Sequence, residues 1–133
     1  MINFAHYLMR KAKILPPFYF NIILGNEAGK QVDAPSIGAA LSQLPADSFW
    51  ALGGIGTQQL PANSIAIALG GGVRVGIEDN IYQDASRTEL ATNASLLRRI
   101  HTLMEIHDRA LMPPSVFGGL GFYNAKKRIE ATI

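Results

Sequence analysis

Residues 70–80 read GGGVRVGIEDN, and this stretch decides the fold. It reads as a buried strand that ends in charge. Side chains alternate along a strand, so Val73, Val75 and Ile77 share one face while Arg74, Gly76 and Glu78 share the other. A cation and a carboxylate on one face of a core strand cost free energy to desolvate unless they meet each other, a ligand or a metal. Asp79 and Asn80 follow where the strand gives way to a loop. In parallel α/β folds that edge is where ligands bind.

Two earlier segments have a similar layout. Phe18 to Leu24 (FYFNIIL) is a nearly continuous apolar run, the pattern of a strand covered on both faces. Phe49 to Leu52 forms a second strand, followed by the loop Gly53-Gly54-Ile55-Gly56-Thr57-Gln58. Between the strands, Pro35 suits a first helical turn and Ile37, Leu41 and Leu44 line one face. Pro61 opens a further helix carrying Ile65, Ala66 and Leu69, which the glycines at 70–72 end.

An N-terminal helix over 1–16 precedes the first strand, with Phe4, Leu8, Ala12 and Leu15 at helical spacing and Pro16-Pro17 as the stop. A long helix runs from Thr92, its N-cap, to Arg109, with Leu96, Leu97, Ile100, Leu103, Met104 and His107 on the buried side. The chain from 111 to 133 reads as an irregular tail.

The order is therefore α-βα-βα-βα: one partial α/β domain with three βα units over 17–110. Three parallel strands leave two apolar edges unpaired. That predicts a strand-adding partner or a chain that is part of something larger.

Composition narrows the function. The chain has 133 residues, 48% apolar and 17% charged, enough for a real core and too apolar for disorder. Net charge is +2 and the basic residues are scattered, with one cluster at Lys126, Lys127 and Arg128. No basic stripe with interleaved aromatics marks a nucleic-acid site, so no nucleic-acid partner is expected. With no cysteine, disulfides and thiolate metal sites are excluded. No signal-peptide core or membrane-length apolar run is seen, so the expected location is cytoplasmic, without membrane contact.

The segments FNIILGNEAG at 20–29 and SFWALGGIGTQQLPANSIAIALGGGVRVGIEDNIY at 48–82, with the Asn93-containing start of the last helix, resemble the C-terminal part of the β-keto acid cleavage enzyme family. The resemblance implies a zinc-dependent (β/α)8 TIM barrel, of which this chain would carry the last three βα units, incomplete in isolation. It implies exchange of a β-keto acid with acetyl-CoA, the co-substrate, to give acetoacetate and a new acyl-CoA. It implies Glu78 as a zinc ligand, with Arg74 and Asp79 as the active-site pair that supports proton transfer and orients substrate.

The chemistry of these side chains agrees. Carboxylate oxygens ligate zinc, which acts as a Lewis acid on a keto acid and stabilises an enolate. Arg74 offers a fork of donors to reacting carboxylates, and Asp79 beside cations stays ionised and can act as a base.

Two departures stand out. Gly72 occupies the place of a histidine usual in the family, and the family's His-x-His zinc pair is absent. His6, His101 and His107 are far apart on predicted helices. The chain alone is therefore expected to be inactive, and to need a complementary N-terminal half or a homo-oligomer.

Plainer readings stand beside these. Arg74 with Glu78 could be a structural ion pair, and Asp79 a turn cap. Gly53, Gly54 and Gly56 could bring backbone N–H groups to the phosphates of CoA, or simply make a tight turn. Gln58, Asn26 and Glu27 could face the same mouth or line solvated loops. Trp50 reads as core. A non-catalytic α/β module that self-associates through its sheet edges is the alternative function. A flavodoxin-type nucleotide domain is a weaker third, because Glu27 would repel phosphate.

Overall fold

The computed structural model describes residues 1–122. Its elements are α1 (Ile2–Arg10), β1 (Tyr19–Leu24), α2 (Ala34–Ser42), β2 (Phe49–Gly54), α3 (Gln59–Ala68), β3 (Gly72–Val73), α4 (Asn93–Ile106) and α5 (Pro114–Gly119), with a single 3-10 turn at Gly56–Gln58 between β2 and α3. The three strands form one parallel sheet in the order β1-β2-β3. Tyr19 pairs with Phe49 and Leu24 with Gly54, while Ala51 pairs with Gly72 and Leu52 with Val73.

Local chemistry explains the helix starts. The Asp33 carboxylate accepts the Ser36 N–H at 2.7 Å, and Pro35 stands in the first turn of α2. Thr92 and Ser95 cap α4 reciprocally: Thr92 Oγ1 accepts the Ser95 N–H, and Ser95 Oγ accepts the Thr92 N–H, each at 3.0 Å.

The helices cover one face of the sheet. Leu24, Ile37, Leu52, Ala62 and Ala66 are the buried centre, with Ile22, Trp50, Ile65 and Val73 packed against it. Leu52 and Leu96 are fully buried, and each contributes about 1.5–3 kcal/mol by leaving water. The opposite face stays largely open at β1, where Tyr19 is 43% and Ile23 45% exposed. The helix of 1–16 is shorter than its spacing suggests: it stops at Arg10 because Ala12 takes a left-handed conformation, φ 51°. Along α4 only Leu96 and Ile100 are buried, while Leu97 and His107 are exposed.

Two expectations are corrected. The segment from 111 is not wholly irregular, since Pro114 opens α5. The rest of that tail beyond Phe122, including Lys126, Lys127 and Arg128, lies outside the described residues. The second concerns the 70–80 stretch: β3 is only two residues long, and the chain turns at 77–79. The Gly76 carbonyl accepts the N–H groups of Asp79 (3.2 Å) and Asn80 (3.4 Å), which curls the chain out of the ladder. No helix among the described residues is long and apolar enough to cross a membrane.

Candidate functional site

The glycines around the sheet decide where Arg74 goes. Arg74 follows β3, and its N–H adds one more ladder bond to the Leu52 carbonyl at 2.9 Å. Its side chain then crosses Gly53, where an added Cβ would lie 3.1–3.3 Å from the Arg74 methylenes. Val73 packs into the helix-covered core, so Arg74 lies on the opposite, uncovered face. There its guanidinium grips Asp79 with two bonds, Nε to Oδ2 at 2.8 Å and an NH2 nitrogen to Oδ1 at 3.3 Å. Glu78 Oε1 stands 3.5 Å from the same guanidinium.

Burial separates the two carboxylates. The Asp79 side chain is 6% exposed and that of Glu78 57%. Asp79 is therefore the held partner and Glu78 the presented one. The Asp79 hydrogen bonds and charge raise the Arg74 pKa, so the guanidinium stays charged at any working pH.

Alternation along a strand is not what unites Arg74 and Glu78. The turn at 77–79 brings them together, and Gly76 permits it, because a Cβ there would occupy the position of the Glu78 carboxylate. Two buried amides from α3 hold this non-ladder backbone in place. Asn63 Nδ2 donates to the carbonyls of Leu52 (3.1 Å) and Arg74 (2.9 Å), and Gln59 Nε2 donates to that of Gly76 (2.8 Å). Both residues are fully buried. Their spacing of four puts both on one face of α3, which starts at Gln59, two residues before the Pro61 start expected from sequence.

The glycine loop after β2 meets the same turn. The Gly56 N–H donates to the Asp79 carbonyl at 2.7 Å, so this donor is directed at the protein's own backbone. Gly54 is buried, and a Cβ on it would run into the Gln58 backbone. Both glycines thus have structural reasons to be where they are. Gln58 packs its Cβ and Cγ over Gly25, and Asn26 and Glu27 lie in an exposed loop. Gly72 differs from its neighbours: a Cβ there would meet Ala51 Cβ and the Trp50 carbonyl at ordinary distance, 3.4 Å, on the uncovered face. Trp50 is half-buried and lies directly against Gly71.

A cleft of about 230 Å³ opens where Glu78, Asp79 and Asn80 face Ile55 and Gly56. Tyr82 and Arg87 also line it, from the loop 82–90 that an antiparallel bridge between Tyr82 and Leu90 closes. Asn93 Oδ1, at the start of α4, accepts the Ile77 N–H at 3.0 Å and anchors that part of the lining.

A zinc ion takes three or four protein ligands. The cleft offers Glu78 and no histidine: the His6 ring bonds the Gln43 carbonyl at 2.7 Å, and His101 and His107 are exposed on or just after α4. No group of three His, Cys, Asp or Glu converges among the described residues. The described residues of this chain therefore do not by themselves fit a catalytic zinc.

The beta-keto acid cleavage enzyme family model matches residues 1–117. The 3-keto-5-aminohexanoate cleavage enzyme of Acetoanaerobium sticklandii is 30% identical over 115 residues, covering 86% of this chain and 42% of that protein. Its namesake in Fusobacterium nucleatum is 30% identical over 114 residues, covering 86% and 41%. The 3-oxoadipate:acetyl-CoA acetyltransferase of Cupriavidus necator is 30% identical over 112 residues, covering 82% and 39%. The chain spans about two fifths of the length of the curated relatives it matches.

Proposed function

The chain belongs to the β-keto acid cleavage enzyme family, and we propose that it supplies the Arg74–Glu78–Asp79 part of a site that exchanges a β-keto acid with acetyl-CoA, giving acetoacetate and a new acyl-CoA. The observation that carries this is the two-bond grip of Arg74 on a nearly buried Asp79, on the uncovered face beside a cleft.

The roles follow from the geometry. Asp79 is the base: its carboxylate is held in one orientation by Arg74 and can accept a proton from the carbon acid. Arg74 orients Asp79 and offsets negative charge as an enolate develops. Glu78, presented to the cleft, would be one ligand of a zinc ion whose other ligands the described residues do not supply. When bound, that metal would supply Lewis-acid polarisation, with its remaining ligands coming from a His-x-His segment outside this chain. In this reading the three βα units are the last three of a (β/α)8 barrel. The protein works in the cytoplasm, its site completed by the barrel segments that correspond to the rest of its relatives' length.

Combining the chain with the N-terminal part of the Acetoanaerobium relative tests this. Acyl-CoA exchange should appear only in the mixture, and Asp79→Asn should lower kcat by about a hundredfold. Exchange by the chain alone, or one tightly held zinc per isolated chain, contradicts the need for a second half. A mixture with no exchange contradicts the reading itself.

A second reading rests on β1. It is an edge strand with Tyr19 and Ile23 exposed, a template for pairing with another copy. A non-catalytic, self-associating module would elute as a dimer or larger in size-exclusion chromatography, whereas a monomer over a wide concentration range rejects it.

A further inference from the structure

Two arginines near the cleft are in different electrostatic situations: Arg87 lines it, and Arg74 stands behind Glu78 and Asp79, which do. Arg74 is engaged by Asp79 and Glu78. Arg87, which lines the cleft, has an exposed side chain, and among the described residues it makes no side-chain hydrogen bond or ion pair. The cation available to an incoming anion is therefore Arg87.

The loop that carries Arg87 is held firmly. Gln83 N–H donates to the Glu89 carbonyl at 2.8 Å. The Asp84 carboxylate accepts the N–H and hydroxyl of Thr88 and the N–H of Glu89, at 2.7–3.0 Å for the shortest bond from each donor. From α4, Arg99 donates to the Gln83 carbonyl at 2.6 Å and Ser95 to the Gln83 side chain at 2.8 Å. Within this frame Arg87 has φ 59°, the left-handed region that non-glycine residues avoid. The frame overrides that preference, and such overridden positions cluster at ligand clamps.

From these facts we propose that Arg87 is the carboxylate receptor of the cleft, binding the carboxylate of the β-keto acid while its reacting carbon faces Asp79. The cleft volume suits a small acid, and the planar guanidinium matches a carboxylate with two parallel bonds. The inference rests on the proposed exchange reaction for the identity of the acid. Arg87 makes substrate contact and takes no part in proton transfer.

The test titrates the full chain with acetoacetate, following amide shifts of Gly56, Ile77 and Tyr82. Binding should weaken about tenfold in Arg87→Ala and partly recover in Arg87→Lys. Ethyl acetoacetate, which lacks the charge, should bind wild type and Arg87→Ala alike. Pyrophosphate, a probe for the anionic end of CoA, should bind no tighter than acetoacetate. Equal acetoacetate affinity in wild type and Arg87→Ala overturns the proposal, as does no binding to wild type. Tighter pyrophosphate binding that Arg87→Ala abolishes overturns the assignment to the keto acid.

In the complemented protein, Arg87→Ala should raise KM for the keto acid with kcat little changed. Exchange activity with an unchanged KM would overturn Arg87 as receptor and leave the reaction standing. Arg87-dependent acetoacetate binding without any exchange would do the reverse.

Discussion

The two ends of the sheet use the same three strands for opposite purposes. At the N-terminal end aromatic rings partly cover the open face. Tyr19 meets Phe117 and Phe122 edge-on at 5.8 and 6.0 Å, Phe49 meets Phe122 at 5.6 Å, and Phe117 stacks on Phe122 at 4.6 Å. The polar group there that most shapes the backbone, Arg109, donates to the carbonyls of Ile67, Gly70 and Gly71 and so locks the end of α3. At the C-terminal end the charges point at a cleft, and buried amides hold the backbone that carries them. Guanidinium groups stand at both ends. What separates a fastener from a candidate functional group is whether the backbone or a carboxylate beside a cleft takes its donors.

Glycine substitutions break the comparison most severely. Gly54→Ala should destabilise the chain by about 3 kcal/mol in urea denaturation, because its Cβ meets Gln58 backbone that cannot rotate away. Loss of the amide pin comes next. Asn63→Ala should cost about 2 kcal/mol, removing the amide donor from the Arg74 carbonyl and leaving that of Leu52 with the Arg74 N–H alone. It should also shift the resonances of Asp79, while those of Phe117 at the far end stay put.

Acid sharpens the comparison more gently. Hydrogen bonds from Glu89 N–H and then Thr88 hold the Asp84 pKa below its ordinary value. A depressed carboxylate stabilises the fold above its unfolded pKa, and that contribution disappears as pH falls through the folded one. The loop 82–90 should therefore keep its amide protection at neutral pH and lose it below the usual aspartate range. Asp84→Asn should abolish that acid step. The smallest effect belongs to Gly72→Ala, expected within about 0.5 kcal/mol of wild type, since a Cβ there makes ordinary contacts. A large loss at position 72 would mean that the uncovered face is packed more tightly than the distances imply.

Much of this was legible because it is local. The alternation of apolar runs and proline-led helices gives the three strands and their connections. Thr92 announces the start of α4 within four residues of chain, and the proximity of Arg74, Glu78 and Asp79 is written in their spacing. The strand through residue 78 was misread because period two cannot reveal a turn whose carbonyl is held from another helix. Gln59 and Asn63 carry no local signal of their role, because the carbonyls they bind at Gly76 and Arg74 are 17 and 11 positions away.

The sequence by itself determined the order of strands and helices, the family, and which charged side chains gather after β3. These follow from chemistry and spacing over a few residues. Only the tertiary structure decided that Arg74 grips Asp79 more closely than Glu78, that α3 amides hold the departing backbone, and that Arg87 lines the same cleft as Asp79. Those pairings depend on which distant segments come to share a surface, and that is settled when the core of Leu24, Leu52 and Ala66 packs.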